Sequence, residues 1–116
     1  MTYQKTHIRE LRLQEQSYVN QHVELEGVVR GLIIRHSWLR GGIGYEGWLS
    51  DDELLLRLVG NDYKNTGYVS TILKASSEAN QPIRLCGRLV KEPCLDLALQ
   101  VHGVSYSGAV YRMIAR

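Results

Sequence analysis

The chain has 116 residues, 44% of them hydrophobic and 22% charged, with a formal net charge of +2 at pH 7. That length holds one hydrophobic core and not two, and the composition is that of an ordered globular chain, which excludes a disordered or low-complexity polymer. A single domain over residues 1–116 is expected, with 1–21 as a helical or irregular lead-in and 105–116 as a C-terminal tail.

The longest uncharged stretch, Leu97 to Tyr111, is broken by Gln100, His102, Gly103, Ser105, Ser107 and Gly108. It cannot serve as a span of about 20 apolar residues, so no membrane association is expected. Met1 to Lys5 lacks the apolar run of a signal peptide, and Cys86 and Cys94 are the only cysteines, which fits a reducing, cytoplasmic setting. Two cysteines and the scattered His7, His22, His36 and His102 make no zinc ligand set, and neither a P-loop nor a nucleophile-elbow motif is present. The chain is therefore expected to have no metal, no cofactor and no enzymatic activity.

The predicted elements follow in chain order. Ile8 to Val19 carries Ile8, Leu11, Leu13 and Val19 among charged residues, with Thr6 placed to cap, and reads as a short helix or turn. His22 to Arg35 alternates Val23 and Leu25 against Glu24 and Glu26, then breaks phase at Gly27 and Gly31, as a long strand does when it bends through glycine. His36 to Gly44 is a glycine-rich loop. Tyr45 to Leu49 and Glu53 to Val59 flank Ser50-Asp51-Asp52 and read as a hairpin.

Gly60-Asn61-Asp62 reads as punctuation, and Thr66 to Ala79 sets Val69, Ile72, Leu73, Ala75 and Ala79 at helical spacing with Lys74 and Glu78 outside. After Asn80-Gln81-Pro82, residues Ile83, Leu85, Gly87 and Leu89 alternate with Arg84, Cys86 and Arg88. Lys91 to Cys94 turns the chain, and Leu95, Leu97, Leu99 and Val101 alternate with Asp96, Ala98, Gln100 and His102. The predicted core is Val23, Leu25, Leu54, Leu56, Leu58, Ile72, Ile83, Leu85, Leu89, Leu97, Leu99 and Val101.

Strand, loop, hairpin, helix, hairpin, with a long glycine-kinked first strand, is the order of an all-β, five-stranded antiparallel OB barrel whose helix lies between strands three and four. Ile8-Arg9-Glu10-Leu11 through Val19-Asn20-Gln21-His22-Val23-Glu24-Leu25-Glu26-Gly27-Val28-Val29-Arg30 resembles the opening of anticodon-binding OB domains of class II tRNA synthetases. It is also similar to bacterial single-strand-binding domains, and Gln81-Pro82-Ile83-Arg84-Leu85-Cys86-Gly87-Arg88-Leu89 resembles their fourth strand. The resemblance implies a binding module for single-stranded DNA or RNA.

Charge distribution agrees with that implication: Gly27 to Tyr45 and Leu97 to Arg116 contain no acidic residue. OB barrels bind strands on the outer face of strands two and three and through the loops beside it. Candidate contacts are Arg30, Arg35, His36, Trp38 and Arg40 in and before the first loop, Tyr45 or Trp48 and Arg57 on the hairpin, Arg84 and Arg88 on the fourth strand, and Lys91 at the second hairpin. Guanidinium groups neutralise phosphates and indoles stack on bases.

Several of these have a second reading. Trp38 either stacks on a base or folds back over the barrel mouth, and Trp48 is outside only if Tyr45, Gly47 and Leu49 face the core. Arg57, set among leucines, projects to a ligand or pairs with a carboxylate such as Glu46. Arg84 and Arg88 equally suit a solvated strand face. Tyr106 to Arg116 is an arm for nucleic acid or for a partner subunit, or packs on the barrel as a last strand or helical turn. The competing function is a protein-interaction subunit that docks a partner, or a second copy as a homodimer, through the barrel surface or its strand edges.

Overall fold

The computed structural model describes residues 2–36, 42–62, 68–91, 96–106 and 109–112. In chain order these form β1 (Gln4–Lys5), α1 (Ile8–Leu13), α2 (Glu15–Tyr18), β2 (His22–His36), β3 (Ile43–Asp51), β4 (Leu54–Asp62), α3 (Tyr68–Ala79), β5 (Pro82–Lys91), β6 (Leu97–Tyr106) and β7 (Ala109–Arg112). The five long strands β2 to β6 are the five of the predicted barrel, and α3 stands between its third and fourth.

β2 organises the closure. Fifteen residues at about 3.3 Å each would run roughly 50 Å, longer than the molecule's greatest extent of 38 Å, so the strand has to bend. It does so at Gly31, whose φ of 60° lies in the left-handed region, beside a register shift between Arg30 and Ile33. The N-terminal half, His22 to Val28, pairs with β5, and the C-terminal half, Val28 to His36, pairs with β3. At Gly27 the two layers come so close that a Cβ would lie 2.6 Å from the Ser50 carbonyl oxygen.

The remaining pairs, β3 with β4 and β5 with β6, are antiparallel, and a short parallel pairing of Arg57–Val59 with Ala98–Gln100 closes the cylinder. This is an OB-type closed barrel. Two small strands extend it: β1 runs parallel to β2 at Val23–Glu24, and β7 pairs antiparallel with Gly103–Tyr106.

The core follows the predicted alternation. Ten of the twelve expected residues are buried, while Leu54 and Ile72 are half-buried at its margin. The lead-in contributes Ile8, Leu11 and Tyr18, and the rest of the barrel and helix adds Val29, Tyr45, Leu49, Val69, Leu73 and Val104. Burying a leucine or isoleucine contributes about 1.5–3 kcal/mol, so α1 is held by its two inward residues and not by intrinsic propensity, which cannot stabilise six residues alone.

Four local expectations are corrected. Thr6 does not cap α1, whose N-cap is His7 without a side-chain cap; its hydroxyl donates instead to Tyr18 Oη at 3.4 Å. Gly60-Asn61-Asp62 continues β4, because Asp62 is buried and its carboxylate accepts the Ser70 backbone N–H at 2.8 Å, tying strand to helix. The buried residues of α3 are Val69, Ser70, Leu73 and Ser76, with Ala75 and Ala79 exposed; Ser76 tolerates burial because its hydroxyl donates to the Gln81 carbonyl at 2.9 Å. The tight turn between β3 and β4 is Asp52-Glu53, with Asp52 at φ 55°, so Asp51 belongs to β3. Leu95, Cys94 and the turn preceding them lie outside the described residues.

Candidate nucleic-acid interface

The register of β2, β3 and β4 fixes which side chains share their outer face. Arg30, Trp48 and Arg57 stand in one row across the three strands; Ile33, Glu46 and Val59 form the next, then Arg35, Gly44 and Asn61. On the other side of the arginine row come Val28, Ser50 and Leu55. Because Tyr45, Gly47 and Leu49 are buried, the pleat turns Trp48 outward.

Trp48 is 41% exposed, Ile33 47% and Leu55 42%. A sheet face ordinarily hides residues of this kind. Among the described residues the other large exposed hydrophobic is Leu13 on α1, so three of four gather on one face. Bending at Gly31 helps build it: a Cβ there would lie 3.4 Å from Trp48 Cδ1, so the indole edge packs against bare backbone.

Three arginines surround this apolar strip, and one carboxylate stands among them. Glu46 Oε1 lies 3.1 Å from an Arg35 guanidinium nitrogen, and Glu46 Oε2 accepts from Arg57 at 3.2 Å. Arg57 therefore resolves its place among leucines by projecting outward and pairing with Glu46. Half-exposed pairs of this type are worth about 0–1 kcal/mol, so either arginine can leave Glu46 for another anion at little cost. Arg30, exposed beside Trp48, forms no ion pair with a described residue.

The other candidates fall elsewhere. Tyr45, offered as an alternative to Trp48, is a core residue: it is 5% exposed, and its ring lies over Gly60. Burial first, and the nearby Asp62 carboxylate second, push its phenol well above the usual tyrosine range. His36 is exposed at the end of β2 and lines a cleft against α3 with Lys74. Trp38 and Arg40 lie outside the described residues.

Arg84 and Arg88 belong to the other side of the barrel, where β5 lies between β2 and β6. Arg84 is 3.9 Å from Glu26, and Arg88 pairs in register with His22. His22 and His102 face each other there at 5.8 Å between ring centroids, with Tyr3 Oη 3.1 Å from His102 Nδ1. Burial, then His22 and Arg88, lower the His102 pKa below the ordinary histidine value. Lys91 ends β5 opposite Leu97. Arg12 connects that end of the second hairpin to the main face by bonding both the Asp96 carboxylate and the Leu55 carbonyl, and holds the Asp96 carboxyl below its usual pKa.

The structure thus brings Arg30, Arg35, Trp48 and Arg57 together and separates them from Arg84 and Arg88. Ile33, Leu55 and Asn61 were not anticipated on this face. Ile33 sits in the unbroken run Leu32-Ile33-Ile34, where alternation carries no phase, whereas the predicted core of Leu54, Leu56 and Leu58 already turns Leu55 outward. No group of three or more potential metal ligands occurs among the described residues, and none of their helices is long and apolar enough to cross a membrane.

No protein-family model and no curated protein matches the chain. Its fold is similar to that of RecG bound to a three-way DNA junction, with a TM-score of 0.64 and 12% identity over 98% of this chain; the chain spans 15% of the RecG chain's length. A lipoprotein from Klebsiella pneumoniae described as nucleic acid-binding aligns with a TM-score of 0.57 and 16% identity, over 84% of this chain and 87% of its own. The SSB domain of a Synechococcus protein aligns with a TM-score of 0.51 and 16% identity, over 76% and 96%. At these identities the likeness establishes the fold alone.

Proposed function

We propose that this chain is a non-catalytic OB module that binds single-stranded nucleic acid across the outer face of β2, β3 and β4. The observation that carries the reading is the single apolar strip of Ile33, Trp48 and Leu55 bordered by Arg30, Arg35 and Arg57. Bases stack on an exposed indole without regard to sequence, and arginines on either side neutralise the backbone. The names of the structurally similar proteins, two of which refer to DNA or nucleic-acid binding, support this choice of ligand. The resemblance to anticodon-binding domains makes RNA a ligand to set beside DNA.

The test is titration of the chain with labelled single-stranded DNA and RNA oligonucleotides at two salt concentrations, following label anisotropy and tryptophan fluorescence. Salt-sensitive binding with fluorescence quenching supports the proposal; absence of binding at low salt rejects it. Rejection would favour a protein-docking subunit, a role that the same apolar strip and the exposed Leu13 also suit.

A further inference from the structure

The Gly44 end of this face has a chemistry that phosphate binding does not explain. Gly44 carries no side chain, and its place in the sheet is the floor of an open notch of about 200 Å³ whose walls include Ile33, Arg35, Glu46, Val59 and Asn61. A Cβ on Gly44 would meet Asn61 Oδ1 at 3.3 Å, so even an alanine would crowd the floor. Glu46 is the one anion on these walls, and it stands on the central strand between Arg35 of β2 and Arg57 of β4.

A backbone phosphate is repelled by that carboxylate and is drawn to the flanking arginines. The notch itself therefore suits the uncharged part of a nucleotide. Each Glu46 oxygen receives one guanidinium, and a carboxylate offers about four lone-pair sites in all, so each oxygen retains capacity for a further donor. Arg35 of β2 and Arg57 of β4 reach it from opposite sides.

We infer that the Gly44 notch is a base-binding subsite in which Glu46 accepts a hydrogen bond from an exocyclic amino group, so that the face prefers amino-bearing bases over thymine or uracil. The inference rests on the single-strand reading above. Cytosine presents an N4 amino donor at the position where thymine presents the O4 acceptor. In the notch, O4 would face the Glu46 carboxylate, acceptor against acceptor. This separates two pyrimidines from each other, which the modest pyrimidine preference given by stacking and flexibility alone does not do.

The experiment compares oligo(dC) and oligo(dT) of about 12 nucleotides, a length that fits one OB site, at fixed salt and slightly alkaline pH, where cytosine stays unprotonated. Wild type should bind oligo(dC) about tenfold more tightly, the worth of a hydrogen bond to a charged group. Glu46→Ala should bring the ratio near one, with oligo(dT) bound more tightly than by wild type, because Arg35 and Arg57 are released and no carboxylate faces O4. Gly44→Val, which fills the notch and leaves Glu46 in place, should also bring the ratio near one, with circular dichroism confirming the barrel. Equal binding of the two oligonucleotides by wild type, or a wild-type ratio that survives Glu46→Ala, overturns the inference and leaves single-strand binding intact. Binding of neither oligonucleotide overturns both.

Discussion

Tyr45 makes the packing account testable in both directions. Its phenolic oxygen is buried with no hydrogen-bond partner, and an unsatisfied buried hydroxyl costs about 1–3 kcal/mol. Tyr45→Phe keeps the ring and removes that cost, so it should stabilise the fold by about 1 kcal/mol and raise Tm by about 4 °C in a domain of this size. The same ring forbids a side chain at Gly60, where a Cβ would stand 2.4, 2.5 and 2.7 Å from Tyr45 Oη, Cζ and Cε1. Gly60→Ala should therefore destabilise by about 1–3 kcal/mol, the cost of overpacking. The pH dependence adds a third arm. The folded-state pKa of Tyr45 is raised, so the unfolded chain loses this proton at about pH 10 while the folded chain keeps it. Stability contributed here is complete below that pH and is lost as pH rises beyond it, by about 1.4 kcal/mol per pH unit. Tyr45→Phe should remove that part of the alkaline decline. Urea denaturation of both variants across pH measures all three effects. A Tyr45→Phe variant less stable than wild type by 1 kcal/mol or more, on the order of one hydrogen bond, would show that the hydroxyl is satisfied and the reasoning wrong.

Two further outcomes concern the barrel. Leu85 is fully buried on β5, and Leu85→Ala should cost about 2–5 kcal/mol in chemical denaturation; an unchanged midpoint would mean that β5 faces the other way. The folded-state pKa of His102 is lowered, so its contribution is present above the ordinary histidine pKa of about 6.5 and is lost as pH falls below it. His102→Asn should accordingly flatten the acid side of the stability profile, and a profile identical to wild type between neutral pH and the onset of general acid unfolding would contradict that.

How much of this was legible depended on whether a segment carried phase. Val23, Leu25, Ile83, Leu85, Leu89, Leu97, Leu99 and Val101 hold the inner phase of their strands and all are buried, although Ala98, in the outer phase, is buried as well. The long bent first strand was readable from Gly27 and Gly31, but the side chains beyond the bulge were not, because a register shift moves every following residue to the other face. That is why Ile33 came to light only with the pairing in hand. Tyr45 suits either face by composition, and only its pairing with Gly60 shows that the ring has room inside. The two-residue β1 and the buried Ile8 and Leu11 depend on contacts distant in sequence, which periodicity over a dozen residues cannot display. In α3, the apolar pattern pointed to Ala75 and Ala79, whereas the bond from Ser76 to the Gln81 carbonyl lets a serine lie inside in their place. Glu46 was legible as a partner for Arg57, but its second arginine, Arg35, became its neighbour only across the β2–β3 ladder.

The salt dependence of oligonucleotide binding, compared among wild type, Trp48→Ala and Arg57→Ala, tests the central claim most directly. Trp48→Ala should lose about 1–3 kcal/mol of binding with its log–log salt slope unchanged, because stacking releases no counterions. Arg57→Ala should flatten the slope by about 0.7, the value for one single-strand phosphate contact. If both variants bind with wild-type affinity and slope, nucleic acid does not cross the β2–β3–β4 face and the account is contradicted.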